Sequence, residues 1–430
     1  MSWTTKGKPF EFTKQPFEFT KQPDKLLYNE GNFISSRNDA VFPAAGRTGV
    51  PVTVDHAPCG YWWNSGQGRR GIVRTLVPGS RWIDMGGGAY STIGDLAVYK
   101  GDLYASGGSG YQNDTGLTFY KWYSDPGEFR LVCSHNDENS GGRTYLAVIE
   151  NGTYHGVYMV QDGGWWYAPD SYRWSTSTGY TMFDDHNGVF NSILAILDSY
   201  VLGGFGSSLR GTDGIKPFDV LINQNEGNLY SLVVLGDYVY ACSSLFDYAN
   251  HDNSRAGILM RVSLYDLVRK FATPTFAPVW QDICNALPHG SPVKLSVIGS
   301  LTVYNNYIYG ASTGHNNNYD GYTDYLVRWK PGMTDWEIVI PGTTSRSGPY
   351  YCRPMRVFQG KLYSVGYSSD GALYQFQDDT KTWKRVAAKL NNQDVVCLME
   401  WNGDLYGGAY NGHLYKWDSY YIESEEIIFT

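Results

Sequence analysis

Basic runs are nearly missing from this chain. None is longer than a pair such as Arg69-Arg70, and 34 Lys and Arg residues stand against 42 Asp and Glu. Without a clustered positive field there is no electrostatic footprint for nucleic acid, which is not expected as a partner. No run of 18 apolar residues occurs, so membrane insertion is not expected either. The opening MSWTTKGKPFEF lacks the apolar core of a secretory signal, and a soluble protein made in the cytoplasm is expected. Later assembly into a particle outside the cell remains compatible with that. The six cysteines, Cys59, Cys133, Cys242, Cys284, Cys352 and Cys397, form no CxxC and no short-spaced pair, which speaks against structural zinc. Several stand inside apolar runs, where a thiol behaves as a small buried hydrophobe. GxSxG, P-loop, HExxH and a GxGxxG following a strand are all missing, so no cofactor, no metal and no catalytic group is expected.

What is abundant is glycine and tyrosine, 50 and 36 residues of 430, with only 18 % of the chain charged. Many short strands joined by tight turns have this composition, whereas disorder needs fewer aromatics and more charge. The length suffices to bury a sizeable core.

An internal repeat orders these residues. Near the end, the apolar run 395–400 meets the turn Asn402-Gly403, followed by Asp404-Leu405-Tyr406-Gly407-Gly408 and then His413-Leu414-Tyr415-Lys416-Trp417. Asn-Gly between two apolar runs is a strong hairpin signal. The same sentence stands upstream as Leu103-Tyr104 with Tyr120-Lys121-Trp122, and as Thr153-Tyr154 with Tyr172-Arg173-Trp174. Further copies carry Tyr238-Val239-Tyr240, Tyr307-Ile308-Tyr309 and Lys361-Leu362-Tyr363, and a degenerate one carries Tyr200-Val201-Leu202. The marker residues, near 104, 154, 201, 240, 309, 363 and 406, are mostly spaced at roughly the 40–50 residues of a four-stranded propeller blade. The one long step contains a helical pattern at 264–271, read as an insertion. Fourth strands are expected at 129–132, 278–280, 336–339 and 383–386, and none follows Trp417. A surplus strand at Arg81-Trp82-Ile83-Asp84 is expected to complete the last blade and close the ring. The reading is all-β: a seven-bladed β-propeller with an extended N-terminal arm, six or eight blades staying open because residues 71–77 fit a further strand. The expected division is an arm over residues 1–60, a propeller over 61–418 and a tail over 419–430.

Over about residues 70–418 the L-Y-x-G/A-G/S and Y-K/R-W recurrences resemble those of kelch-like and tectonin-like β-propellers, although the full kelch signature is not kept from unit to unit. Composition and architecture also look like propeller proteins of bacteriophage tails or virion surfaces. That resemblance implies a structural or host-attachment role in a virion.

The arm repeats one heptad, Pro9-Phe10-Glu11-Phe12-Thr13-Lys14-Gln15 followed by Pro16-Phe17-Glu18-Phe19-Thr20-Lys21-Gln22. Proline every seventh residue forbids a helix, and Phe-Glu-Phe alternates like a strand. Phe10, Phe12, Phe17 and Phe19 are therefore candidates for docking into other particle proteins by strand addition. A solvated tail carrying a recent duplication is the plainer alternative.

In a four-stranded blade the connection from the second to the third strand and the connection to the next blade leave at one end. These are the long ones here, and they hold Tyr111, Asn113, Asp114, His186, Tyr248, His251, Asp252, His315, Tyr319, Asp320 and Tyr322, the candidate binding face. Five of the eight histidines fall there, counting His135 and His289. The segment 401–418 reads as scaffold, its short turn at the quiet end. Asp184-Asp185-His186 and His251-Asp252 fit turn chemistry as well as metal or acid–base work. Ser368-Ser369-Asp370-Gly371 resembles the Asp-box of sialidase-like propellers, with glycine and tryptophan misplaced. Trp62-Trp63 and Trp165-Trp166 fit either sugar stacking or cover over blade edges. The expected function is a non-enzymatic particle protein facing a protein or cell-surface glycan receptor. A lectin-like propeller is the alternative, and a glycan hydrolase using Asp184 and Asp252 a weaker third.

Overall fold

The computed structural model describes residues 2–5, 8–11, 28–29, 32–33, 58–64, 69–88, 92–108, 117–134, 144–161, 170–185, 190–206, 208–215, 217–223, 228–244, 257–284, 294–315, 322–343, 354–366, 371–387, 390 and 394–429. They belong to two compact units, Trp82–Trp417 and Met1–Arg81 with Asp418–Thr430.

The unit Trp82–Trp417 is a seven-bladed β-propeller. Blades 1 to 6 are antiparallel meanders whose strands, a to d, follow chain order. Blade 1 runs Thr92–Tyr99, Asp102–Gly108, Thr118–Tyr123 and Glu128–Ser134. Blade 2 is Thr144–Ile149, Gly156–Gln161, Asp170–Ser175 and Gly179–Asp185; blade 3 is Phe190–Ile196, Tyr200–Phe205, Ser208–Thr212 and Asp219–Asn223. Blade 4 has Asn228–Leu235, Tyr238–Ser244, Leu259–Ser263 and Gln281–Cys284, with the helix Leu264–Ala272 between its last two strands. Blade 5 has Lys294–Tyr304, Tyr307–His315, Tyr322–Trp329 and Glu337–Thr343. Blade 6 has Met355–Phe358, Lys361–Val365, Leu373–Gln377 and Thr382–Arg385. Blade 7 takes Val395–Trp401, Asp404–Ala409 and Leu414–Phe429 from the C-terminal side, and the strand Arg69–Gly86 from the N-terminal side as its fourth. The expected closure through residues 81–84 is therefore what the chain does.

The a–b turns explain the glycines and asparagines of the repeat. Asn402 and Gly403 have φ of 50° and 78°, and Asn305 and Asn306 have 49° and 60°. Two left-handed residues in succession make the turn whose twist matches that of a hairpin, and only Gly and Asn adopt it cheaply.

Seven clusters of buried side chains fill the seven seams between neighbouring blades. Strand b alternates accordingly: Leu103 packs toward blade 7 and Tyr104 toward blade 2. In four blades the strand-b tyrosine meets an aromatic on strand c of the following blade. Ring centroids are 5.1 Å apart for Tyr104–Trp174, 5.5 Å for Tyr240–Trp329, 5.6 Å for Tyr309–Phe376 and 5.2 Å for Tyr363–Trp417. The repeated Tyr and Trp are thus seam packing, with tilted or edge-on geometry favoured by aromatic quadrupoles.

Two local expectations were displaced. In blade 2, Tyr154 lies in a longer a–b turn, and the seam tyrosine is Tyr158, buried in strand b. In blade 4 the fourth strand begins at Gln281, beyond Pro278-Val279-Trp280. The helix occurs where the periodicity places it.

In the other unit, Ser2–Thr5 pairs with Lys8–Glu11, setting Trp3 opposite Phe10. Tyr28–Asn29 pairs with Asn32–Phe33, and Pro58–Asn64 pairs with Arg69–Thr75. Residues 71–77 therefore belong to the long strand Arg69–Gly86 and build no eighth blade.

Candidate functional site

The a-to-d order puts the a–b and c–d turns at one end of the ring and the b–c and d–a connections at the other. At the turn end, charged side chains are tied to one another. In six blades the strand-b tyrosine faces a lysine, arginine or glutamine on strand c: Tyr104–Lys121, Tyr158–Arg173, Tyr240–Arg261, Tyr309–Arg328, Tyr363–Gln375 and Tyr406–Lys416. The cation then reaches an acid at the turn. Lys121 meets Asp102 at 2.5 Å and Lys416 meets Asp404 at 2.6 Å. Arg328 donates to both carboxylate oxygens of Glu337 at 2.8 Å and to the Tyr309 hydroxyl at 3.3 Å. These bonds to Glu337 hold the guanidinium firmly in its charged form, while burial pushes the Tyr309 phenol up. Asp378 hydrogen-bonds Lys381 and lies 3.8 Å from Arg328 across the seam, and both hold its carboxyl below the usual range. Lys121–Asp102, Lys416–Asp404 and Arg328–Glu337 each lie within one blade, while Arg328–Asp378 crosses from blade 5 to blade 6; charges engaged in this way leave little for a ligand.

Blade 3 lacks the pair: Leu202 faces Gly211. The inserted helix supplies the missing bulk. Phe271 stacks on Tyr200 with centroids 4.5 Å apart, and a Cβ on Gly211 would come within 2.7 Å of its ring. Phe271 thus covers the spot where the other blades carry a tyrosine and a long polar side chain.

At the opposite end, Tyr111, Asn113, Asp114, His186, Tyr248, His251, Asp252, Tyr319 and Asp320 lie outside the described residues, as do Phe12, Phe17 and Phe19. His315 and Tyr322, the last residue of strand b and the first of strand c in blade 5, are direct cross-strand partners. Asp184 and Asp185 end strand d of blade 2, opposite Ser171 and Asp170. Phe10 stands in the N-terminal hairpin.

One corner of this end is built in full. The b–c hairpin of blade 7, residues 410–413, turns here, so part of the segment read as scaffold belongs to the candidate face. His413 Nδ1 lies 3.0 Å from both carboxylate oxygens of Asp84, which comes from the closing N-terminal strand. Its ring stacks on Tyr415, with centroids 6.3 Å apart. Asn411 fixes the hairpin twice: its Oδ1 accepts from the His413 amide at 3.2 Å, and its Nδ2 donates to the Tyr415 hydroxyl at 3.0 Å. Burial pushes the Tyr415 phenol up; the hydrogen bond from Asn411 opposes the shift and Asp84 adds to it. The Thr92 hydroxyl of blade 1 donates to the Tyr410 carbonyl at 3.3 Å, leaving the Tyr410 ring half exposed at 49 %. An exposed ring beside a fixed amide, imidazole and carboxylate suits hydrogen-bonding recognition of a polar ligand. The sequence offered one sign of it, a histidine immediately before strand c, where blades 1 and 3 begin theirs with Thr118 and Ser208. Asp84 was visible only as part of the closing strand.

Among the described residues, no group of three His, Cys, Asp or Glu side chains is placed to hold a metal ion. No helix among them is long and apolar enough to cross a membrane.

No family model matches the chain, and no curated protein matches it. Among solved structures, a computationally designed protein, Ika8, is similar at 12 % identity and a TM-score of 0.45, covering 79 % of this chain and 99 % of its own. YCF48, in a structure titled as bound to D1 peptide, is similar at 11 % identity and a TM-score of 0.50, covering 78 % and 96 %. At such identity the likeness to YCF48 concerns the fold alone. Neither match ties the chain to kelch or tectonin repeats, or to proteins of virus particles.

Proposed function

We propose that this chain is a non-enzymatic binding and scaffold propeller. In the narrower form of the reading it is a component of a virion, bacteriophage tails above all. It docks to other particle proteins through residues 9–22 and turns the b–c and d–a end of its ring toward a protein or glycan receptor. A propeller suits a binding or structural role, since function in such folds is carried by connections mounted on a rigid frame. One observation carries the reading: charged side chains of the turn end are spent on pairs with one another, while the longer polar connections leave at the opposite end. The peptide in the YCF48 structure is an instance of the same frame serving recognition. Deleting residues 1–30 tests the docking role. The expected outcome is a folded ring that no longer enters the particle, and unaltered incorporation refutes it.

The corner at Tyr410, Asn411, His413 and Asp84 favours a second reading, a lectin-like propeller. A half-exposed tyrosine ring can stack on the apolar face of a sugar while Asp84 accepts from its hydroxyls. A glycan array probed with the full chain and with Tyr410→Ala decides it. Binding to no glycan, or equal binding by the variant, removes this corner as a sugar site.

A further inference from the structure

The turn end of blades 3 and 4 exposes apolar side chains that no seam needs. Tyr265 is 72 % exposed, Val279 71 % and Ile215 61 %, and Leu197 and Val220 are exposed beside them in sequence and topology. The helix Leu264–Ala272 joins the two blades: Leu267 is buried and Phe271 lies on Tyr200, which leaves Tyr265 pointing outward. Exposed apolar residues concentrated on one edge mark an interaction surface more often than scattered ones do. Acids frame it. Asp198 follows Leu197, Asp219 precedes Val220, and the Asp237 carbonyl accepts from the Leu264 amide; all three acids are exposed.

The N-terminal heptads carry the complementary chemistry. In extended backbone, Phe10, Phe12 and Lys14 fall on one face, and Phe17, Phe19 and Lys21 do so in the next heptad. Residues 1–25 hold five lysines against three acids, in a chain whose net charge is −8. Resting on the reading of residues 9–22 as a docking arm, we propose that the apolar edge of blades 3 and 4 receives this Phe-x-Phe-x-Lys repeat from a second copy of the chain. The phenylalanines cover Tyr265, Val279 and Ile215, and the lysines meet Asp198, Asp219 and Asp237. Copies of the chain then link arm to ring.

The test is complementation in trans with full-length chains. One variant carries Tyr265→Asp with Val279→Asp, the other Phe17→Ser with Phe19→Ser, and near-ultraviolet circular dichroism checks that both are folded. Sedimentation velocity across a concentration series reads association. The wild-type chain is expected to associate, and each variant alone to do so about a hundredfold more weakly. An equimolar mixture of the two regains association, because each supplies what the other lacks. Leu131→Asp, which charges an exposed leucine on blade 1, leaves association unchanged. A wild-type chain that stays monomeric, or a mixture that does not recover, overturns the proposal. Association lost while particle incorporation persists sinks this interface alone; incorporation indifferent to residues 1–30 with association intact sinks the wider docking role.

Discussion

Replacing Trp82 with alanine should open the ring at its closure. Trp82 lies in the N-terminal strand that completes blade 7, is 8 % exposed, and packs in the seam between blades 6 and 7. Its Nε1 donates to the Gly371 carbonyl at 2.8 Å in buried surroundings. Truncating a buried tryptophan costs about 3–5 kcal/mol, and the orphaned carbonyl adds to the cavity within that range. Against a total stability of about 5–15 kcal/mol this is a large fraction. The loss falls on one strand, so the closing strand should detach before the remaining blades melt. Urea unfolding followed by tryptophan fluorescence, with limited proteolysis of the native state, reads both effects. The expected result is a midpoint lowered in keeping with about 4 kcal/mol, and new cleavage between residues 78 and 90. Trp82→Phe, which keeps an aromatic ring and loses the donor, should cost about 1–2 kcal/mol. A Trp82→Ala chain within about 1 kcal/mol of wild type, with no new cleavage, would refute closure by this strand.

Three further outcomes follow from the seams. Phe271→Ala uncovers Gly211 and Tyr200 and should cost about 2 kcal/mol, measured by chemical unfolding, because the ring is only partly buried. Asp378, whose carboxyl is held low by Lys381 and then Arg328, contributes stability that is complete above the ordinary carboxylate value of 3.8 and is lost as pH falls through its lower folded value. Thermal melts of Asp378→Asn should therefore lose part of the acid-side decline seen in the wild type. Burial pushes the thiols of Cys133 and Cys284 up to about 12 and raises that of Cys242 as well. Mass spectrometry after iodoacetamide treatment at pH 8 should find all three unmodified in the native chain and alkylated after denaturation.

The ring was legible because its signals are local. Asn402-Gly403 is a turn for reasons of φ alone, and Leu405-Tyr406 alternates because one residue faces each neighbouring blade. Legibility failed where a distant segment replaces a local signal. Strand c of blade 3, Ser208–Thr212, carries no Tyr-Lys-Trp, since a helix more than fifty residues later supplies Phe271 to its surface. Tyr154 was misassigned because it occupies a register that only the longer turn of blade 2 shifts to Tyr158. The His413–Asp84 pair joins residues 329 apart in the chain, a distance at which periodicity carries no information. Most of the expected binding residues sit on connections outside the described residues, and their roles stay with the proposal.

The central claim is that the ring is a frame and the N-terminal segment its attachment. Retention of the chain by purified particles, with and without residues 1–30, tests it most directly. The account predicts that the shortened chain keeps the near-ultraviolet circular dichroism of its packed tyrosines and tryptophans yet washes off the particle. A shortened chain retained as fully as the intact one would contradict it.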